Sequence, residues 1–518
     1  MAAMQRFLAI LVADLRERTR SVRFWVVLGI VIAATWACFP SVDAGYVTVS
    51  LSGGERGKYS SAWVGLALAL QFCTFLSLGG FYLVRGTLVR DIETRVWQLL
   101  VATPMTRGGY LLAKWLSHMT VFGVIMAVGL LVGLVAQMTR AEDTAINLFE
   151  LIKPVLLLSI PSLAITAMLA VWFDLLPWLR RTAGNVLFFI LWVVMISVPA
   201  SQLNAPTAAK DAEHAWVGDP SGVVVMAREL HRSLQPQTSK PQAYGFSGGV
   251  RMIKKAPVLL EWKSWQVRPM DALGRLLWLA VALAGVLLAA PWLDRAAARG
   301  TAAARAGSGA GRRLVLLDRL LTPFARGLFG TLVIAELRLV LRQRTNAWWL
   351  IALVLCGVQV FGTQAAMLVA LPLAWLLPLD VLARGVLRDR DSGTEALIFT
   401  APGITWRLLA ARAVVAIVLA VALAFPGLLR LIATHPWAAL AALAITASIS
   451  LWGLALGALC RNPRPFELIF VAAVYSGLQG AAIFDLSRDP ITTAAWHALA
   501  LLPALLVLVW AWPRLARR

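Results

Sequence analysis

The chain is poor in charge. Of its 518 residues only 14% are Asp, Glu, Lys or Arg, against 60% hydrophobic. A soluble domain carries about 25% charged residues, so a water-exposed globule of this length is excluded. Acids are scarcest: 26 Asp and Glu stand against 48 Lys and Arg, for a net charge of +22. Cysteine is rare too. Cys38, Cys73, Cys356 and Cys460 form no CxxC pair and no His-rich cluster, so neither a disulfide framework nor a metal site is expected. There is no GxSxG elbow, no HExxH helix and no paired-carboxylate constellation inside an apolar run. The chain is therefore not expected to be an enzyme or to bind a cofactor itself.

What fills the chain instead is a series of apolar runs. A helix needs about 20 apolar residues to cross a bilayer. About twelve such runs are read, at 24–39, 63–84, 110–137, 154–173, 185–199, 272–293, 348–361, 363–381, 408–431, 437–459, 468–484 and 493–512. Barrels show short alternating segments, so the expected fold is all-α and polytopic. The runs fall six to a half, in residues 1–293 and 328–518, and the Ala-, Gly- and Arg-rich stretch 294–327 reads as a flexible linker. An even span count per half makes the halves a parallel repeat.

Lys and Arg collect in short loops on one side. By the positive-inside rule that side is cytoplasmic and holds both termini. The excess positive charge then faces anionic lipid rather than nucleic acid. Each half opens with an amphipathic stretch, 4–23 and 328–344, suited to the inner interface. Residues 201–271 form one large external insertion, long enough for helices of its own and a place for an accessory subunit. Gln71, Gln359 and Gln364 read as mid-span polar groups that bond between helices. Asp174 and Asp380 fall at inner span ends, within reach of the interface, and Arg430 at an outer end.

One polar segment occurs twice. Residues 90–104 read RDIETRVWQLLVATP and residues 388–402 read RDRDSGTEALIFTAP. Arg90, Asp91, Glu93, Thr94, Leu99 and Pro104 answer Arg388, Asp389, Asp391, Ser392, Leu397 and Pro402. The match runs on, with Leu111, Ala113 and Lys114 answering Leu409, Ala411 and Arg412. In the first copy Ile92, Val96, Leu99 and Leu100 share one helical face, and Arg90, Asp91, Thr94 and Arg95 share the other. That pattern predicts a helix along the membrane surface with its charges toward the cytosol, and Lys114 snorkelling beside it. A duplicated polar segment between spans reads as a docking surface.

The order of amphipathic helix, two spans, R-[DE]-x-[DE]-[ST]…L-[LI]-x-x-x-P, and a span opening L-x-A-[KR] resembles the ABC-2 type permeases. The resemblance implies a membrane subunit of an ATP-driven exporter in a bacterial inner membrane. Its two repeated segments would be coupling helices that dock on two copies of a separate cytoplasmic ATPase, which holds the ATP and Mg. The family's second inner contact would map to Arg180 and Arg181, and to Arg461 and Arg464. The insertion 201–271 falls where the family has its external cap, in one half alone. Apolar spans fit an amphipathic or hydrophobic cargo such as a lipid, peptide or drug.

Two other classes stay open. Gly385-Val386-Leu387-Arg388-Asp389-Arg390 begins like the inner-loop signature of major facilitator transporters, but Gly393 comes one residue late and Thr394-Glu395 replace the basic pair. A membrane assembly factor that transports nothing is the third. The string LSGGE at residues 51–55 matches the signature loop of ABC ATPases only by chance, because it lies between two spans, in an external loop.

Overall fold

The computed structural model describes residues 22–51, 55–93, 106–176, 182–202, 218–234, 246–249, 251–253, 255–293, 321–399, 403–478 and 482–516, with a few isolated positions besides. Helices dominate. Among the described residues eight of them are long and apolar enough to cross a membrane, so the chain is a multi-pass α-helical membrane protein. It divides into two compact units, Met1–Arg305 and Ala306–Arg518. Most of the amphipathic stretch 4–23 and of the linker 294–327 lies outside the described residues.

The first unit contains α1 (Val22–Ala37), α2 (Ser61–Asp91), α3 (Arg107–Arg140), α4 (Leu148–Leu175), α5 (Thr182–Gln202), α6 (Val223–Leu234) and α7 (Pro269–Leu288). Helix α2 is its axis: 83% of the apolar window of α2 is buried, against 22% for α7. Ser60 starts α2 by accepting the Trp63 amide at 3.3 Å, the usual service of an N-cap hydroxyl. Lipid is as apolar as leucine, so helices in a membrane are held together by close packing and polar bridges. Gln71 donates to the Thr35 hydroxyl at 3.1 Å, and Ser77 meets Thr166 at 3.0 Å. Lower down, Phe81 stacks on Phe188 with ring centroids 3.5 Å apart.

Two wide π turns face each other, Phe72–Leu76 in α2 and Val155–Ser159 in α4. The second follows Pro154, which has no N–H to give the helical ladder. The carbonyl of Thr74, in the first, accepts the Trp192 indole of α5 at 3.1 Å.

A layer of short strands covers one end of this unit. Three two-residue strands from the α1–α2 loop pair with three from the segment before α7. β1 (Tyr46–Val47) runs antiparallel to β5 (Arg251–Met252), and β2 (Ser50–Leu51) antiparallel to β4 (Phe246–Ser247). β3 (Arg56–Gly57) runs parallel to β6 (Leu259–Leu260). Buried Arg56 holds Glu142 with both terminal nitrogens, at 2.6 and 2.8 Å. The LSGGE string thus begins in β2 and ends in a bridge from Leu51 to Glu55.

The second unit contains α8 (Gly327–Arg342), α9 (Asn346–Phe361), α10 (Gln364–Arg384), two single turns α11 (Arg388–Asp391) and α12 (Glu395–Ile398), then α13 (Ile404–Thr434), α14 (Pro436–Cys460), α15 (Arg464–Leu478) and α16 (Pro490–Ala516). Small residues let α14 lie against α10: a Cβ at Gly453 would stand 2.9 Å from the Leu382 carbonyl oxygen. Gln359 is fully buried, giving an N–H to the Leu423 carbonyl at 3.0 Å and accepting the Gly427 amide at 3.0 Å. Gln364, expected mid-span, instead opens α10 and is exposed. Arg430 donates to the carbonyls of Gln359 and Gly362, closing the end of α9.

Helix order is alike in the two units. In each, a 16-residue apolar helix, α1 or α9, leads into the helices of crossing length, with α8 ahead of α9 in the second unit. Three crossing-length helices follow it: α2, α3 and α4, and α10, α13 and α14. Helix α5, of 21 residues, or α15, of 15, then comes ahead of one more of crossing length, α7 or α16, with α6 between α5 and α7 in the first unit.

Candidate functional site

The repeated segment begins where α2 breaks. Arg85 is extended and Gly86 has φ of +90°, a left-handed conformation that suits glycine. The helix restarts at Thr87. The carboxylate of Asp174 caps the restart, accepting the Gly86 amide at 2.8 and 3.0 Å and the Leu88 amide at 3.3 Å. Arg85 Nε stands 3.8 Å from it. Asp174 is only 1% exposed. The expectation that it reaches the interface is corrected: its charge is absorbed by helix amides and by Arg85.

One turn further on, Asp91 is buried as well. It accepts the Tyr110 hydroxyl at 2.6 Å and pairs with Lys114 Nζ at 2.8 Å. Both partners lie in the first turns of α3. Lys114 therefore does not snorkel; it is 4% exposed. Of the surface helix predicted over 90–104, only residues 90–93 are described, and there Asp91 turns inward instead of toward the cytosol; the rest lies outside the described residues.

The second unit makes the corresponding pair. Buried Asp389 accepts from Arg412 at 2.8 Å. Arg412 sits in the first turns of α13 and matches Lys114 in the sequence repeat. Here a third partner joins from α8. Glu336 meets Arg388 at 2.6 Å and Arg412 at 3.5 Å. Burial pulls the Arg388 guanidinium below its ordinary pKa, while the Glu336 carboxylate opposes that fall. Amphipathic helix, repeated segment and following span are thus joined through four charges.

Past Asp389 the chain turns outward. The Asp389 carbonyl accepts the Thr394 amide at 2.8 Å, and Gly393 takes φ of +68° to close the turn. Asp391 and Ser392 are exposed, with the Ser392 hydroxyl donating to the Arg388 carbonyl at 2.9 Å. Leu397 is 78% exposed. Each segment therefore has a buried root, and in the second unit a displayed tip.

Other expected site residues fall as follows. Arg90 is partly buried, and Glu93 is the last residue described in α2's restart. Thr94, Leu99, Pro104, Arg181 and Pro402 lie outside the described residues. Arg180, past the end of α4, folds back on that helix, donating to the Asp174 carbonyl at 2.8 Å. Arg461 ends α14 with φ of +50° and donates to the Arg514 carbonyl at 3.2 Å. Arg464 opens α15, its amide held by Asn462 at 3.0 Å. Sequence reasoning missed the buried pairs, although their signal was present: both copies carry an acid at the root and a base in L-x-A-[KR].

Chemically, this arrangement is a joint. Among the described residues it holds no cluster of metal-type ligands. Against family models, curated proteins and solved structures, the chain matches none.

Proposed function

We propose that this chain is the membrane-embedded permease of an ATP-driven exporter, moved through its two repeated segments by a separate ATPase. The observation that carries this reading is the pair of buried ion pairs, Asp91–Lys114 and Asp389–Arg412. A force applied to the displayed tip passes through a desolvated charge pair into α3 or α13, each over 30 residues long. That is the design of a rigid-body lever. Arg90 and Arg388 flank the roots; Asp391, Ser392 and Leu397 present the contact.

The reading includes about twelve spans in two parallel halves. Matching helix order supports it, and so does parity. Strands β1–β3 precede α2 and their partners follow α5, so both lie on one side of the bilayer. An even number of crossings must separate them. Helices α2, α3 and α4 supply three, and α5 then supplies the fourth.

The test is co-purification with a candidate ATPase and measurement of stimulated hydrolysis. Asp391→Arg with Leu397→Asp should weaken the complex at least tenfold, about 1.4 kcal/mol, without lowering the melting temperature. Unchanged binding and stimulation would overturn the docking assignment. Transport that collapses with the proton gradient while ATP is present would favour a facilitator instead.

A further inference from the structure

Arg275 is the one large cation buried in the first half of α7. It is 1% exposed and lies six residues, roughly 9 Å, past the start of the helix. Its Nη2 donates to the main-chain carbonyl of Asp219. Nε and Nη1 have no hydrogen-bond partner among the described residues. The Asp219 carboxylate does not make up the deficit, because α6 uses it. It accepts the amides of Gly222, Val224 and Val225 at 2.8, 2.8 and 3.2 Å and the Ser221 hydroxyl at 2.9 Å. The positive charge is thus buried with one neutral acceptor in contact, and the Asp219 and Asp271 carboxylates offset it only from a distance, so two of its N–H groups are left to be met by something else.

The turn that covers Arg275 is built to fit there. Gly222 has φ of +83°, and a Cβ on it would stand 3.1 Å from both Arg275 Nη1 and Leu158. Leu158 belongs to the π turn of α4, and that turn faces the π turn holding Cys73. Arg228 on α6 reaches Asp271 in the first turn of α7 at 3.0 Å. Turn and helix α6 therefore cover Arg275 as a plug: α6 buries Val224, Met226, Leu230 and Leu234 and packs on α5, and the Arg228–Asp271 pair and the under-satisfied guanidinium tie it to α7.

We propose that the segment Asp219–Leu234 is a displaceable plug, and that an anionic group, an alkyl phosphate or the like, replaces the Asp219 carbonyl on Arg275 when the plug lifts. This extends the transport reading by giving the cargo a negative head. Its test uses no ATPase, so the two readings can fail separately.

The experiment reads Cys73, which is 1% exposed and hydrogen-bonds Ser159 at 3.9 Å. With Cys38, Cys356 and Cys460 changed to Ser, the full chain in neutral detergent is labelled with a maleimide. Dodecyl phosphate should speed labelling at least tenfold, whereas a neutral maltoside should not. Acceleration by inorganic phosphate as well would assign the anion to a free phosphate rather than a lipid-like head. Arg275→Gln should remove the response and Arg275→Lys should keep most of it. If Arg275→Gln does not fold, the parent protein decides alone: equal acceleration by a cationic dodecyl amphiphile overturns the proposal, and acceleration by the anionic one alone supports it. No acceleration in the parent protein, or equal acceleration in Arg275→Gln, overturns the proposal.

Discussion

Asp389 has two options if its partner is lost, and both are costly. A lone buried carboxylate must either remain charged in a poor solvent or take up a proton. Removing one member of such a pair typically costs about 3–5 kcal/mol. We therefore expect Arg412→Ala and Lys114→Ala, which strand Asp389 and Asp91, each to lower stability by about 3–5 kcal/mol in denaturant unfolding of the detergent-solubilised protein. The double change Asp91→Leu with Lys114→Met should recover most of the loss, since an apolar pair of similar size often replaces an ion pair at little cost. Arg56→Ala should behave like the single changes, because Arg56 is 2% exposed and bidentate on Glu142. Lys58→Ala should leave unfolding unchanged. Its pair with Glu261 at 2.8 Å is exposed, and solvent and salt screen it.

At the scale of the element, long apolar helices were legible and the joints between them were not. A run of about 20 apolar residues is dictated by bilayer thickness, so α3 or α13 announces itself in composition. Strands of two residues, paired across some 200 positions, carry no periodicity to read. The π turns are equally silent, because an extra residue in a turn leaves an apolar run apolar. Asp91 was read as a surface charge since helical spacing places it opposite Ile92 and Leu99. The structure overrides that spacing because Lys114 and Tyr110 give the carboxylate a better place than water. Pro154 was visible, but the opening it produces was not. The Trp192 indole on the Thr74 carbonyl fastens α5 to the π turn of α2. Trp192→Phe should cost about 1 kcal/mol in unfolding and speed amide exchange in Phe72–Leu76. An unchanged exchange rate would show that the wide turn needs no such tie.

For the whole molecule, two compact units of similar helix order make separate folding testable. Fragments 1–305 and 306–518, expressed apart, should each stay with the membrane through carbonate extraction. A fragment that washes off would mean that one unit depends on the other for insertion. The strand layer, present on the first unit alone among the described residues, draws half its strands from the polar stretch 201–271. The pairing of that stretch with the loop before α2 was not legible in the sequence.

That pairing has a consequence during synthesis. The outermost strands of the first unit meet partners made some 200 residues later, so the layer can close only after every helix between them has been threaded in the correct direction. One helix left unthreaded strands the two halves on opposite faces, and the ladder never forms. The layer thus proofreads its own insertion: a correctly wired first unit is sealed, while a miswired one keeps raw strand edges that quality-control proteases can find.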